Sequence, residues 1–315
     1  MSAVIVRRLL AFLATLLATS IVVFVVLEVL PGDPAQVMLG VDAEPDAVAR
    51  LREKLGLERP TTVRYFDWLL GFATGNLGES YTYSVPVLEL IVERLAVTVP
   101  LALIAMLLTT IIALAAGVFA AAHHNRPGDW GVMLFAQLGI AMPNFWFGIL
   151  LVLLFAVTLG WFNAGGFPGW EDDALASFQA LLLPAVSLAI VQSAILARVT
   201  RSSVLDVLRE DYVRTARAKG LSKRAALWRH GLRNALIPVV TVMGLQFAFL
   251  LSGTIIIENV FYLPGLGRLI FQSISQRDLV VVKDVVMLMV AKVVIINFVI
   301  DLLYVVIDPR LRTAR

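Results

Sequence analysis

Between Asp211 and Val240 the sequence DYVRTARAKGLSKRAALWRHGLRNALIPVV sets Arg214, Arg217, Lys219, Lys223, Arg224, Arg229 and Arg233 among small and apolar residues, with one interruption at Gly220-Leu221-Ser222. The chemistry open to such a segment is electrostatic: its cations steer toward an acidic protein surface or an anionic lipid face. Residue patterns for bond-breaking chemistry are missing. There is no G-x-x-x-x-G-K-[ST] or G-x-G-x-x-G phosphate cradle, no H-E-x-x-H, no G-x-S-x-G and no pair of carboxylates inside an apolar stretch. No ATP hydrolysis, catalytic residue or bound cofactor is therefore expected of this chain alone. Cysteine is absent, which excludes disulfides and thiolate metal sites. His123 and His124 are adjacent and cannot share one helical face, and with His230 they read as interfacial or solvated groups, so no metal site is expected.

A second set of candidates lies within or beside apolar stretches. Lys292, Asn297 and Asp301 share one such stretch near the C-terminus, and an ionisable group there is a functional candidate by default. Lys292 can equally snorkel or pair with a neighbouring subunit, and Asn297 and Asp301 can equally fix helix contacts. In AMPNFWFG, residues 141–148, Pro143 frees a backbone carbonyl that Asn144 or a water could satisfy, so a kink is expected there. Asn144 and Trp146 are candidate pathway-lining residues, and Glu258 is a further candidate for the pathway or gate. Glu28, at the end of the first apolar run, reads as snorkelling or locally hydrogen-bonded.

The elements that must position these groups are membrane helices. The 315 residues are 59% apolar and 16% charged, with a mean hydropathy of +0.87, and a helix needs about 20 apolar residues to cross the hydrocarbon. Six spans are predicted: Leu9 to Leu30, Val97 to Ala122, Val132 to Leu159, Ala180 to Arg198, Ala235 to Ile257 and Asp284 to Ile307. The first follows Arg7 and Arg8 as a signal peptide would, but it is too long for one and lacks a small-residue cleavage site, so it reads as retained. Six spans put the N-terminus, the 123–131 loop, the Lys- and Arg-rich 198–234 loop and the Arg-rich tail on one side, which the distribution of positive charge makes the cytoplasm. The net charge of +3 is thus a topology signal, and no nucleic-acid partner is expected. The chain reads as one transmembrane domain, 1–315, with an extracytoplasmic helical loop at 31–96, core helices at 97–307 and a cytoplasmic loop at 198–234.

Both long loops are patterned. Helices are predicted after Pro45 with Gly56 at the end, around Val63 to Leu70, and around Pro86 to Leu95. In the 198–234 loop, Val204, Leu208, Tyr212 and Ala216 recur every four residues, predicting an apolar stripe on a helix that continues the fourth span. Gly220 suits a left-handed helix end and Ser222 suits the cap of the next helix. There Leu221, Ala225, Trp228 and Leu232 predict a second stripe.

This helix pair resembles the cytoplasmic EAA-type loop of ABC-importer permeases, in the form found in dipeptide and oligopeptide permeases. Tyr212 to Leu221 carries the likeness, with Arg214-Thr215-Ala216 where the general motif has Glu-Ala-Ala and Gly220 at its glycine. Leu30 to Pro34, Leu55-Gly56-Leu57, Gly75 to Ser80, Pro143 to Trp146, Ile257 to Phe261, Leu263 to Arg268, Arg277-Asp278 and Asp308-Pro309-Arg310 extend it to the B-type permease subunit over nearly the whole chain. Leu279 departs from the Tyr-Pro that often follows Arg277-Asp278, and Asn76 from a frequent Asp. The resemblance implies an all-α polytopic permease in a bacterial or archaeal plasma membrane, with both termini cytoplasmic. It implies a second homologous permease, two ABC ATPase subunits holding ATP and magnesium, and an extracytoplasmic solute-binding protein as partners. Arg214, Thr215, Ala216, Arg217, Ala218, Lys219, Gly220, Leu221 and Ser222 would form the ATPase-coupling interface. Dipeptides or oligopeptides are the implied cargo, with glutathione or nickel chelates as alternatives. The contrasting reading is an ATPase-independent secondary transporter that depends on Lys292 or Asp301.

Overall fold

The computed structural model describes residues 2–29, 34–40, 43–54 and 56–307. Among them the chain is helical, with a single isolated bridge between Glu79 and Pro86. In chain order the helices are α1 (Ser2–Val29), α2 (Pro34–Leu39), α3 (Pro45–Lys54), α4 (Thr61–Thr74), α5 (Val87–Ala122), α6 (Pro127–Ala141), α7 (Asn144–Leu151), α8 (Ala174–Leu208), α9 (Asp211–Ala218), α10 (Lys223–Ala226), α11 (Leu232–Val260), α12 (Leu266–Ser275) and α13 (Leu279–Ile307). A π-helical segment, Val152–Thr158, extends α7, and another, Leu227–Gly231, joins α10 to α11.

Among the described residues α1, α5, α8 and α11 are long and apolar enough to cross a membrane, and the bent pair of α6 with extended α7 makes a fifth crossing if it counts as one. The sixth predicted span lies in α13, a 29-residue helix with Lys283, Asp284 and Lys292 in its first half. On α1, Leu10, Leu13, Leu17, Val22 and Val26 are at least half exposed; so large an apolar face belongs against lipid or protein rather than water.

Two compact units divide the chain, one from residues up to Val97 together with Pro264–Leu302, the other centred on Thr98–Leu263. In the first, Val23, Phe24, Trp68 and Met287 form a core covered by Tyr65 and Phe72. Its polar edges are closed by named partners. Ser20 and Tyr65 share a hydroxyl hydrogen bond of 2.8 Å, Arg64 pairs with Glu28, and Trp68 Nε1 donates to Asp284 Oδ1 at 2.6 Å. Lys283 Nζ sits 5.1 Å from the Trp68 ring centroid and 5.5 Å from that of Phe24, within cation–π range. Asp278 caps α13 and accepts from Ser80 Oγ at 2.5 Å and from the Thr82 N–H at 3.1 Å, fastening the 79–86 turn to that helix start. The predicted third loop helix is not separate: residues from Val87 run into the second span as one α5, because no breaker stands between Leu95 and Val97 and Pro100 is absorbed within the helix.

In the second unit α8 is the central element, packed against α6, α7 and α11. Small residues let helices approach closely: a Cβ built on Gly117 of α5 would lie 2.6 Å from Thr200 Cβ and 2.7 Å from the Ala197 carbonyl oxygen of α8. Ala113, Leu196, Ala197 and Val239 fill one layer, and Ala121, Val204, Leu227 and Ala235 the next. The expected kink at Pro143 is a 102° break between α6 and extended α7. Met142, forced out of the helical region by the proline ring after it, is extended at φ −93°, ψ 131°, and Pro143 is also extended. Asn144 does not satisfy a freed carbonyl; its Oδ1 accepts the Phe145 N–H at 2.9 Å, while its own backbone carbonyl accepts from Ser187 Oγ at 2.8 Å.

Candidate functional site: a basic helix and a membrane cavity

The basic segment forms two short helices set against the ends of α8 and α11. Extended Glu210 separates α8 from α9, so the predicted stripe does not continue through the break: Tyr212 is exposed, and Val213 and Ala216 are the residues α9 buries. The Tyr212 hydroxyl nonetheless accepts from Asn234 Nδ2 at 2.8 Å, tying α9 to the start of α11. Beyond Lys219 the chain reverses through Gly220 at φ +97°, a left-handed conformation that costs a glycine little. The Gly220 N–H donates to the Arg217 carbonyl at 3.0 Å and the Leu221 N–H to the Ala216 carbonyl at 3.3 Å, the paired bonds of a Schellman ending. Ser222 Oγ then accepts the Ala225 N–H at 3.2 Å, capping α10.

Of the predicted coupling residues, Arg214, Thr215, Arg217, Ala218, Lys219, Gly220 and Ser222 are exposed, Leu221 is half-buried and Ala216 is buried. Ala216 therefore helps to hold the helix down and the cations stand outward, with Arg214 Nη1 3.3 Å from exposed Asp211. The second predicted stripe is rephased. The π-helical turn adds a residue, so Ala226, Leu227 and Ala235 face the core and Trp228 points outward, bordering a cavity of about 920 Å³ with Phe119 and His123.

Just upstream, a buried ion pair fixes the α5–α6 turn to α8. Asp129, 1% exposed, accepts from Arg201 Nε at 2.5 Å and Arg201 Nη2 at 2.7 Å, and its Oδ2 also takes the Asn125 N–H at 3.0 Å. His124 Nδ1 lies 3.1 Å from Arg201 Nη2. Such a bidentate pair compensates its own desolvation only because each oxygen is satisfied. Sequence reasoning missed Asp129 and Arg201; the available signal was a lone acid opening an apolar helix and a lone base just past the fourth predicted span.

Among the candidate pathway residues, Asn144 lines a half-open cavity of about 510 Å³ bordered by α7, α8 and α11, together with Gln192, Gln246, Ile195, Leu245 and Phe249. Trp146 is exposed at 45% and is not part of its lining. Glu258 is not part of that lining either: it is fully buried, and its Oε1 accepts from Thr98 Oγ1 at 2.6 Å. Asn297 is exposed on α13, and the side chain of Asp301 lies outside the described residues. Among the described residues no cluster of three or more His, Cys, Asp or Glu is arranged to hold a metal ion.

Residues 113–313 match the model of the family described as binding-protein-dependent transport system inner membrane component, and residues 1–102 match its membrane-component N-terminal counterpart. A Brucella abortus protein that carries the provisional name peptide transport system permease protein is 44% identical over 312 residues, 99% of each chain. The glutathione transport system permease protein of Salmonella choleraesuis is 41% identical over 306 residues, 97% of each chain. The crystal structure of an amino acid ABC transporter with histidines superposes with a TM-score of 0.53 at 17% identity, over 68% of this chain and 92% of that one, a likeness of fold.

Proposed function

Because the chain belongs to the family of binding-protein-dependent transport system inner membrane components, and is the permease subunit of an ABC importer, we propose that it carries dipeptides or oligopeptides along a pathway shared with a second, homologous permease. In this reading a solute-binding protein delivers cargo on the side of the 31–96 loop, and two ATPase subunits dock against α9 and the turn that follows it. The chain is non-catalytic; ATP and magnesium are held by the ATPases. Full-length similarity to the Brucella and Salmonella permeases supports a peptide-like cargo, and glutathione, a tripeptide by chemistry, is the second reading that the Salmonella relative favours.

The observation that carries the coupling role is the Schellman-capped α9, which presents Arg214, Arg217 and Lys219 outward while Val213 and the Tyr212–Asn234 bond anchor it inward. A push on its exposed face is handed to α8 and α11 rather than lost in a loop. Cations on that face speed docking to an acidic groove and select the partner. Gly220→Pro tests this directly: proline cannot take φ +97° and lacks the N–H that bonds Arg217. In vesicles holding the complex copurified from native membrane, this variant is expected to keep basal ATP hydrolysis and lose more than about tenfold in uptake per ATP, a change of over about 1.4 kcal/mol. Normal uptake at normal protein level would remove the coupling role, and purification of a transport-competent lone chain would remove the importer assembly.

A further inference from the structure

Along the last turns of α5, on the side of the basic segment, runs a half-open groove of about 920 Å³ within the second unit. Its lining is graded. Deep along α5 and α11 it is apolar, with Leu114, Val118, Leu232 and Leu236 as walls. At the mouth it is polar, with His123, His124 and exposed Arg126 in the turn after α5 and exposed Trp228 in the π-helical turn before α11. Leu114 and His123 are about 13 Å apart along a helix axis, so the groove follows the span inward rather than crossing the surface. The polar end is fixed in place. His123 Nδ1 lies 2.9 Å from the Phe119 carbonyl, with its ring 4.3 Å from that of Phe119, and His124 Nδ1 lies 3.3 Å from Asp129 Oδ2 and 3.1 Å from Arg201 Nη2. No lining residue is acidic, and Asp129, close in sequence, is buried with its charge met by Arg201. The mouth is therefore cationic.

We propose that this groove binds one anionic phospholipid, with its phosphate against Arg126 and the histidine turn and an acyl chain between the apolar walls of α5 and α11. The assignment does not depend on the cargo and goes beyond the transport reading. An order of polarity that is apolar in depth and cationic at the mouth is that of an amphiphile standing in a bilayer. A free anion makes no use of the apolar walls, and a soluble protein would reach them only by entering the hydrocarbon. Tryptophan is at home at the headgroup level, where its ring meets both phases, and basic pockets between membrane helices on the cytoplasmic side suit anionic headgroups. Leu208, at the end of α8, and Leu227, at the start of the π-helical turn, also line the groove, so a bound lipid braces the elements on which the basic segment stands.

The test titrates the purified complex with dioleoyl phosphatidylglycerol or dioleoyl phosphatidylcholine, which share their chains and differ in net charge, and counts bound lipid by native mass spectrometry. Wild type is expected to retain phosphatidylglycerol in preference to phosphatidylcholine. Arg126→Gln is expected to bind phosphatidylglycerol about fivefold more weakly, whereas Arg7→Gln, an equal loss of charge at an exposed residue outside the groove, is expected to leave binding unchanged. Equal weakening by both variants means diffuse attraction to a basic surface and overturns the site, as does equal retention of the two lipids by wild type. Glycerol phosphate, the headgroup chemistry without acyl chains, is expected not to displace the lipid; displacement overturns the lipid in favour of a soluble anion. Should Arg126→Gln fail to assemble, Ala122→Cys supplies a unique thiol, exposed on the groove lining of a cysteine-free chain. In vesicles its alkylation by a membrane-permeant maleimide is expected to slow by about fivefold when phosphatidylglycerol replaces phosphatidylcholine. Equal rates in the two lipids overturn the proposal, and a thiol unreactive in both reveals a protein neighbour over the groove, which overturns it as well.

Discussion

Two buried aspartates hold two turns in this molecule by different means. Asp129 fastens the α5–α6 turn to α8 through the guanidinium of Arg201, at 2.5 and 2.7 Å. Asp278 fastens the 79–86 turn to the start of α13 through neutral donors, the Ser80 hydroxyl and the Thr82 N–H. Each is 1% exposed, so burial does not separate them. The charge-paired site accepts one partner geometry and punishes loss of either member. The neutral site spreads its bonds over backbone and hydroxyl groups, so its strength comes from several modest contributions. The charge-paired anchor stands beside the predicted coupling segment, where displacement has to be transmitted.

Asp129→Ala is the harshest way to break this contrast: it strands a partly buried guanidinium and should cost about 3 kcal/mol, read as a lowered thermal midpoint of the detergent-purified complex. Exchange of the pair, Asp129→Arg with Arg201→Asp, should recover part of that loss, and no recovery would show that the geometry rather than the charge is what matters. Asp278→Ala should cost less, about 2 kcal/mol, with faster proteolytic nicking confined to the 79–86 turn; an effect as large as that of Asp129→Ala would erase the distinction. The smallest change is expected from Asp284→Asn, which keeps an acceptor for Trp68 Nε1. A shift in unfolding free energy within about 1 kcal/mol would agree with a neutral-donor site. A larger loss would mean that Lys283, poised over the Trp68 and Phe24 rings, depends on the carboxylate charge.

Much of the architecture was legible because apolar length and turn chemistry are local properties. Four of the predicted spans fall on helices long and apolar enough to cross a membrane, the third falls on a pair of helices bent by 102°, and the sixth lies in α13; Gly220, Pro45 and Gly56 sit at helix ends for the reasons their backbones dictate. Phase and angle were less legible. An α-helical period places Trp228 on one apolar stripe with Leu221, Ala225 and Leu232, and the Leu227–Gly231 π-turn shifts that period by a residue. Pro143 announced a bend, but 102° is set by packing against α8, which no local pattern reveals. Asp129 and Arg201 are 72 residues apart and Gln192 and Gln246 54 apart, so only the fold brings each pair together. Asn144 is marked in the sequence because it follows a proline; Gln246, buried on α11 and bonded to the Gln192 carbonyl, sits in an apolar helix without any such marker.

The length of α8 has a mechanical consequence. At about 1.5 Å per residue its 35 residues reach some 52 Å, well over the roughly 30 Å of a hydrocarbon layer. A helix that long acts as a lever whose ends sweep farther than its middle: a tilt of about 10° around the centre carries either tip by some 4–5 Å, close to the rise of one helical turn. At Gly117 the neighbouring α5 lies directly against Thr200 and the Ala197 carbonyl of α8, so there is little slack to absorb such a stroke. Small angular changes at the basic end would thus be delivered as displacements of several ångströms at the opposite tip, while the middle of α8, whose Leu188, Val191, Gln192 and Ile195 line the cavity bordered by Asn144, moves least.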